Sequence, residues 1–265
     1  TLTRNQMGSK AKIVVPYGDS KQAQKFADAW KVDWSHPLMH FQYDRNKEGC
    51  AQTKNKGMAH ALADGAEFIV ILDDDCFPHD GIDSPELLIE AHKESMKPQQ
   101  VKRFKEVTFP VSRGTPYMAD NHYMEMPVAC SMGFWHEIGD YCAARQLAYQ
   151  GVDMEFKHDP IFGEWFPLCG MNIAFYPEEW NPWCQQIEVP RYDDIWMGWL
   201  WQREAYRRGY CFSLNGPTIR HSRQSNVWKN LKIEAKYAEQ NDTLWREIAS
   251  TEYTCYEDLR GLLPA

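Results

Sequence analysis

The run Glu67-Phe68-Ile69-Val70-Ile71-Leu72-Asp73-Asp74-Asp75 decides the fold. Its first part is continuously apolar rather than alternating, the pattern of a strand buried on both faces of a sheet. Upstream, Gln52 to Leu62 repeats small and apolar residues at helical intervals, and Gly65 closes that helix. Further back, Met39 to Tyr43 reads as a strand and Gln22 to Trp30 as a helix that Ser20 can cap. Ala11 to Pro16 is a β-branched strand before the turn Gly18-Asp19-Ser20. Strands that alternate with helices in this way predict an α/β fold, with a mostly parallel central sheet flanked by helices. Ligands of such sheets sit beyond the carboxyl ends of the strands, where the three aspartates stand.

Downstream, Pro78 and Gly81 keep a loop. Asp83 or Ser84 before Pro85 starts a helix that runs to about Ser95 or Met96. Val107 to Val111 is a candidate strand, Tyr123 to Phe134 reads as irregular around Gly133, and Phe166 to Phe175 as sheet. Asp193 to Arg208 has strong helical spacing. A strand near Tyr210 to Leu214, the segment Thr218 to His221 and one amphipathic helix from Val227 to Ile248 complete the pass. The expectation is one domain over residues 1–265.

With 43% hydrophobic and 25% charged residues, the chain is an ordinary globular mixture, which excludes disorder as the default. No stretch approaches the roughly 20 apolar residues of a membrane helix, and the polar N-terminus has no apolar run of a signal peptide, so a cytoplasmic protein without a membrane partner is expected. Eight scattered cysteines, Cys50, Cys76, Cys130, Cys142, Cys169, Cys184, Cys211 and Cys255, form no CxxC pair and are read as reduced. A net charge of −8 argues against non-specific nucleic-acid binding, although the basic stretch from Lys97 to Lys105 leaves a small patch open.

Consecutive carboxylates at the end of a buried strand repel one another, and a divalent cation removes that cost. Hard oxygen ligands suit Mg²⁺ or Mn²⁺, which also bridge the diphosphate of a nucleotide. The plainer reading of an acidic triplet is a solvated loop; its position after Phe68-Ile-Val-Ile-Leu72 favours the metal. A second pair, Asp193-Asp194, opens an aromatic helix and can bind sugar hydroxyls, act as base, or cap the helix. His221, in Ile219-Arg-His-Ser222, is a candidate ligand from a distant part of the chain, or an ordinary hydrogen-bonded histidine.

Taken together, several blocks resemble the reversibly glycosylated polypeptides, the UDP-arabinopyranose mutase family with the GT-A glycosyltransferase fold. Leu72-Asp-Asp-Asp-Cys-Phe77 is similar to the family's metal-binding block. Phe166-Pro-Leu-Cys-Gly-Met-Asn-Ile-Ala-Phe175 and Arg191-Tyr-Asp-Asp-Ile-Trp-Met-Gly-Trp199 nearly repeat two others, and His221-Ser222 with Asn226 and Asn230-Leu-Lys232 resembles the closing motif. Ser112-Arg-Gly-Thr-Pro-Tyr117 resembles the segment whose arginine is associated with covalently attached sugar. The family's second arginine has no counterpart at Asp120-Asn121-His122. The match runs from about Lys12 to Lys236.

The resemblance implies a GT-A-like nucleotide-diphospho-sugar transferase fold. It also implies a UDP-sugar enzyme that cleaves the bond from sugar to diphosphate and interconverts the pyranose and furanose forms of UDP-arabinose. Metal ligands would be Asp73, Asp75 and His221, with Mn²⁺ or Mg²⁺ as cofactor. Asp73, Asp74, Gly170, Asn172 and Trp196 would bind the nucleotide sugar. Arg113, Asp193 and Asp194 would serve catalysis, Arg113 as the sugar's attachment point or by stabilising the departing diphosphate, which suits a guanidinium better. Alternatives are a glycosyltransferase serving a separate glycan, protein or modified nucleic-acid base, and a non-catalytic sugar-nucleotide-binding subunit. Homo-oligomers are common in the family, though nothing in these residues fixes an assembly.

Overall fold

A computed structural model describes residues 10–102, 123–148, 156–181, 183–222 and 226–250. The opening units are β1 (Ala11–Tyr17), α1 (Ser20–Ala29), β2 (Met39–Tyr43), α2 (Cys50–Ala63) and β3 (Phe68–Leu72). Every residue of β3 is buried, as its unbroken apolar run requires. The short β4 (Cys76–Phe77) follows, then α3 (Pro85–Ser95), whose N-cap Ser84 accepts a bond from Leu87 N ahead of Pro85. Asp19, not Ser20, caps α1: its carboxylate accepts from Lys21 N at 2.8 Å, and Ser20 is already helical.

Beyond them come β5 (Gln99–Lys102), β6 (Tyr123–Met126), β7 (Val128–Glu137), α4 (Ala143–Ala148), β8 (Asn172–Phe175) and α5 (Pro177–Trp180). The described chain ends with α6 (Asp193–Arg207), β9 (Cys211–His221), α7 (Val227–Glu234) and α8 (Ala238–Ser250). One seven-stranded sheet has the order β2-β1-β3-β8-β7-β9-β4, and β5 pairs with β6 as a separate ribbon. Within the large sheet β2, β1, β3, β7 and β9 run one way, and β8 and β4 the other. This is the mostly parallel, helix-flanked α/β architecture expected from the sequence. Because β2 and β3 flank β1 on opposite sides, the strand order reverses there, and β3 delivers its aspartates to that crevice.

Four readings are corrected. The stretch Tyr123 to Phe134 is not irregular; it is β6 and most of β7, eight residues of which are buried without alternation. Gly133 does not break β7. A Cβ there would stand 2.1 Å from Pro217 O and 2.2 Å from Asn172 Nδ2, so glycine is what lets β7, β8 and β9 close together. Phe166 to Phe175 is strand only over its last four residues, because Phe166 bonds the Gln202 side chain instead of a neighbouring strand. Tyr210 to Leu214 and Thr218 to His221 form the single strand β9, whose Gly216-Pro217 lies at register shifts against β7. The C-terminal amphipathic stretch is two helices separated by a turn over residues 235–237. The candidate strand Val107–Val111 lies outside the described residues. Among the described residues no helix is long and apolar enough to cross a membrane.

Candidate functional site

The backbone of the acidic triplet is held from several sides. Asp73 N donates to Met171 O at 3.0 Å, Asp74 O accepts from Gln22 Nε2 at 2.9 Å, and Cys76 O accepts from Trp30 Nε1 at 3.0 Å. The antiparallel pairing of β4 with the end of β9 sets Cys76 opposite His221, and Ser222 N donates to Asp75 O at 3.3 Å. That register brings His221 Nε2 to 3.5 Å from Asp75 Oδ2, although the two are far apart in sequence. His221 Nδ1 lies 2.8 Å from Ile138 O, which takes its proton and turns Nε2 toward the carboxylate. Burial alone would lower the imidazole pKa. The Asp75 carboxylate, the Ile138 carbonyl and the charge of Asp140 outweigh burial and push it up to about 9.

Carboxylate oxygen and imidazole nitrogen at this separation, with Asp73 beside them, make a donor set for a hard divalent cation. Mg²⁺ or Mn²⁺ is commonly held by one or two side chains, with phosphate oxygens and water completing the shell. Among the described residues no three His, Cys, Asp or Glu side chains enclose a cation by themselves.

Lys54, absent from the sequence reading, stands at the centre of the group. It is 2% exposed, its Nζ is 2.9 Å from Asp73 Oδ1, and it donates to Gly170 O at 3.0 Å. Burial opposes its charge, yet Asp73, Asp194 and Asp193 hold its pKa well above the usual value. Burial raises Asp73, with Lys54 opposing and Asp75 adding to the shift. Asp73 Oδ1 is itself buried and accepts no hydrogen bond of ordinary geometry among the described residues, the lysine contact being ionic.

The Gly170 peptide links this lysine to the second acidic pair. Gly170 N donates to Asp194 Oδ2 at 2.7 Å, and a Cβ at Gly170 would meet Asp194 Cβ at 2.8 Å. Asp194 Oδ1 accepts from Ile195 N, while Tyr192 occupies the N-cap of α6 without a side-chain bond. Burial and the neighbouring Asp193 push Asp194 up to about 7; burial also raises Asp193. Asp194 is thus a carboxyl that changes charge near neutrality, the property of a general acid or base.

Arg191 is a second omission. Its backbone is left-handed, with φ +73, a strain of about 1–3 kcal/mol for a side-chain-bearing residue. Arg191 Nε donates to Glu234 Oε1 at 2.9 Å, and Glu234 Oε2 accepts from Ala143 N at 2.7 Å. Across the same space the Cys169 thiol donates to Asp140 Oδ2 at 3.2 Å.

These groups share one cavity of about 1080 Å³. Lys54, Asp73, Asp75, Asp193, Asp194 and His221 all line it. Asp74, Gly170, Asn172 and Trp196 do not. Asp74 is buried, and Gly170 is hydrogen-bonded to the lining residues Lys54 and Asp194. Asn172 and Trp196 are corrected from ligand contacts to core residues, because both are fully buried and already hydrogen-bonded: Asn172 to His92 and Pro217 O, Trp196 Nε1 to Asn241 Oδ1 at 3.0 Å. Arg113 lies outside the described residues. A usable signal for Lys54 existed in the sequence, since it falls on the stripe Ala51, Lys54, Met58 and Ala61 that α2 buries. Arg191 was signalled by its place in the block Arg191-Tyr-Asp-Asp-Ile-Trp-Met-Gly-Trp199, two residues before the paired carboxylates.

A family model described as reversibly glycosylated polypeptide matches residues 58–249. Over 185 residues the chain is 31% identical to Probable UDP-arabinopyranose mutase 1 of Pisum sativum, covering 64% of this chain and 51% of that protein. It is 29% identical to UDP-arabinopyranose mutase 3 of Arabidopsis thaliana over 198 residues, 69% of this chain and 53% of that one. Against UDP-arabinopyranose mutase 1 of Arabidopsis thaliana the identity is 30%, over 64% and 52% of the two chains. The chain therefore spans about half the length of the curated relatives it matches. Among solved structures it is similar to a glycosyltransferase involved in the glycosylation of the major capsid of PBCV-1. That likeness has 10% identity, covers 85% of this chain and 98% of that one, and has a TM-score of 0.33.

Proposed function

Because the chain belongs to the reversibly glycosylated polypeptide family, we propose that it acts on a nucleotide-activated sugar and interconverts the pyranose and furanose forms of UDP-arabinose. The observation that supports this reading is the meeting of Asp73, Asp75 and His221 with Lys54, Asp193 and Asp194 around one cavity. Asp75 and His221, with Asp73, would hold Mn²⁺ or Mg²⁺. The cation, when bound, would neutralise charge on the diphosphate as the sugar leaves.

The reaction breaks the bond from the anomeric carbon to a phosphate oxygen, and the electron pair leaves with the diphosphate. A different hydroxyl of the sugar bonds to the anomeric carbon, the bond from the former ring oxygen to that carbon breaks, and a diphosphate oxygen returns to the anomeric carbon, so no co-reactant is consumed. Asp194, poised near neutrality, accepts the proton of the hydroxyl that closes the new ring and returns it to the one released. Lys54 fixes Asp73 and, through Gly170, the position of Asp194. Arg113 enters on the sequence resemblance as the guanidinium that stabilises the leaving diphosphate or takes the sugar. Asn172 and Trp196 support the site from within the core.

The test is incubation with UDP-arabinopyranose and Mn²⁺, followed by chromatography for the furanose isomer. Isomer is expected, and the doubly substituted Asp73→Ala, Asp75→Ala protein should lose Mn²⁺-dependent affinity for UDP. Release of UDP only when an acceptor is added, with no isomer, would replace the mutase with a glycosyltransferase. The missing second arginine at Asp120-Asn121-His122 is the feature that favours this second reading. Tight binding without bond cleavage over hours would make the protein a sugar-nucleotide-binding subunit.

A further inference from the structure

Charge in the cavity is lopsided. Besides Asp73, Asp75, Asp193 and Asp194, the acidic residues Glu48, Asp140, Glu188, Glu234 and Asp242 line it, whereas its basic side chains are Lys54, Arg145, Arg191 and His221. Lys54 is engaged with Asp73 and His221 with Asp75. Arg145 is exposed, where water screens it. Arg191 differs from all three. Its side chain is 32% exposed, and Glu234, itself 8% exposed, grips it by Nε alone. Because Glu234 also binds Ala143 N, the grip is fixed to the start of α4. The two terminal amino groups of Arg191 make no hydrogen bond among the described residues, so a planar pair of charged donors is oriented but not consumed.

We propose that Arg191 is a diphosphate-binding residue, its terminal amino groups donating to phosphate oxygens of the nucleotide while Glu234 and the left-handed backbone aim the guanidinium. This rests on the nucleotide-sugar reading above and adds to it a named anion contact. An anion entering a cavity lined mainly by carboxylates needs such a counter-charge. Arginine supplies it with geometry matched to two phosphate oxygens at once, which a lysine does not. The alternative role is neutralisation of Glu234, Asp140 and Asp194, which raise the Arg191 pKa against the opposing effect of burial. That role predicts lost stability without lost anion affinity.

Calorimetric titration of the wild type, Arg191→Gln, Arg191→Lys and Arg145→Gln separates the two. The probes are inorganic pyrophosphate and UDP, each with MnCl₂, alongside melting temperatures. Arg191→Gln should weaken pyrophosphate and UDP by at least about tenfold. Arg191→Lys should recover part of the loss, and Arg145→Gln should stay within about twofold because an exposed charge contributes little. Unchanged affinity in Arg191→Gln, whatever its melting temperature, overturns the proposal, as does an equal loss in Arg145→Gln. If the wild type binds pyrophosphate through Arg191 but not UDP, the nucleotide-sugar reading falls and the arginine site stands. If it binds neither, both fall.

Discussion

At Asp194 the carboxyl group is bound through both oxygens to backbone amides and yet is pushed up to about 7, because burial and Asp193 oppose its charge. A base must be ionised to act, so turnover should rise with pH through about 7. Asp194→Asn should lower kcat by about 10²–10⁴-fold and remove that limb of the pH–rate profile, measured with UDP-arabinopyranose and Mn²⁺. An unchanged profile in the variant would assign the proton to another group. Lys54 gives a different prediction. Lys54→Met leaves Asp73 facing Asp75 without its buried cation, which should cost about 3 kcal/mol or more in urea unfolding at neutral pH. The aspartates were readable because a continuous apolar strand announces where its loop goes. Lys54 was not, since a lysine on a helix is read as solvated unless its neighbours on the apolar stripe are counted. Asn172 and Trp196 show the opposite limit: motif membership marks a residue as needed, but burial decides whether it touches ligand or holds the frame.

Among the elements, α3 is coupled to the sheet by a polar chain. His92 Nε2 is 3.0 Å from Asn172 Oδ1, and Asn172 Nδ2 donates to Pro217 O at 2.8 Å, so the imidazole donates through Nε2 and meets Ser131 Oγ at Nδ1. Burial lowers its pKa to about 4 against the opposing bond to Asn172. The unfolded chain takes up this proton near pH 6.5 and the folded chain only near 4, so the contribution of neutral His92 is lost as pH falls across that window. Relative to His92→Gln, the wild type should lose about 3 kcal/mol of unfolding free energy by pH 4, read from denaturant curves at both pH values. Gly133 ties the same strands together by proximity, and Gly133→Ala should cost at least about 2 kcal/mol, since Pro217 O is backbone and cannot turn away. Neither β7 nor the whole of β9 was legible in the sequence. The buried run of β7 is interrupted by Ser131 and Gly133, unlike that of β3, and Gly133, Gly216 and Pro217 carry the outward marks of a loop while lying inside a sheet.

Over the whole molecule, the α/β reading rested on the first three strands and the helices between them, and it extended correctly to the rest because one hydrophobic layer joins all seven strands of the sheet. If cation and nucleotide complete each other's shell, UDP with Mn²⁺ should raise the melting temperature more than either alone, and EDTA should abolish the synergy. Saturation at about a hundred times Kd corresponds to about 2.7 kcal/mol. Additive shifts, unaffected by EDTA, would separate the nucleotide from the metal. The pairing of Cys76 with His221 carries one more consequence. During synthesis the aspartates leave the ribosome long before the imidazole, and α6 and its carboxylates also emerge ahead of it. If the proposed cation binds there, a nascent chain shorter than β9 lacks a complete donor set, and premature capture of metal by a half-made protein is disfavoured. Competence should switch on late and abruptly, as the slow, long-range strand closure that completes the sheet takes place.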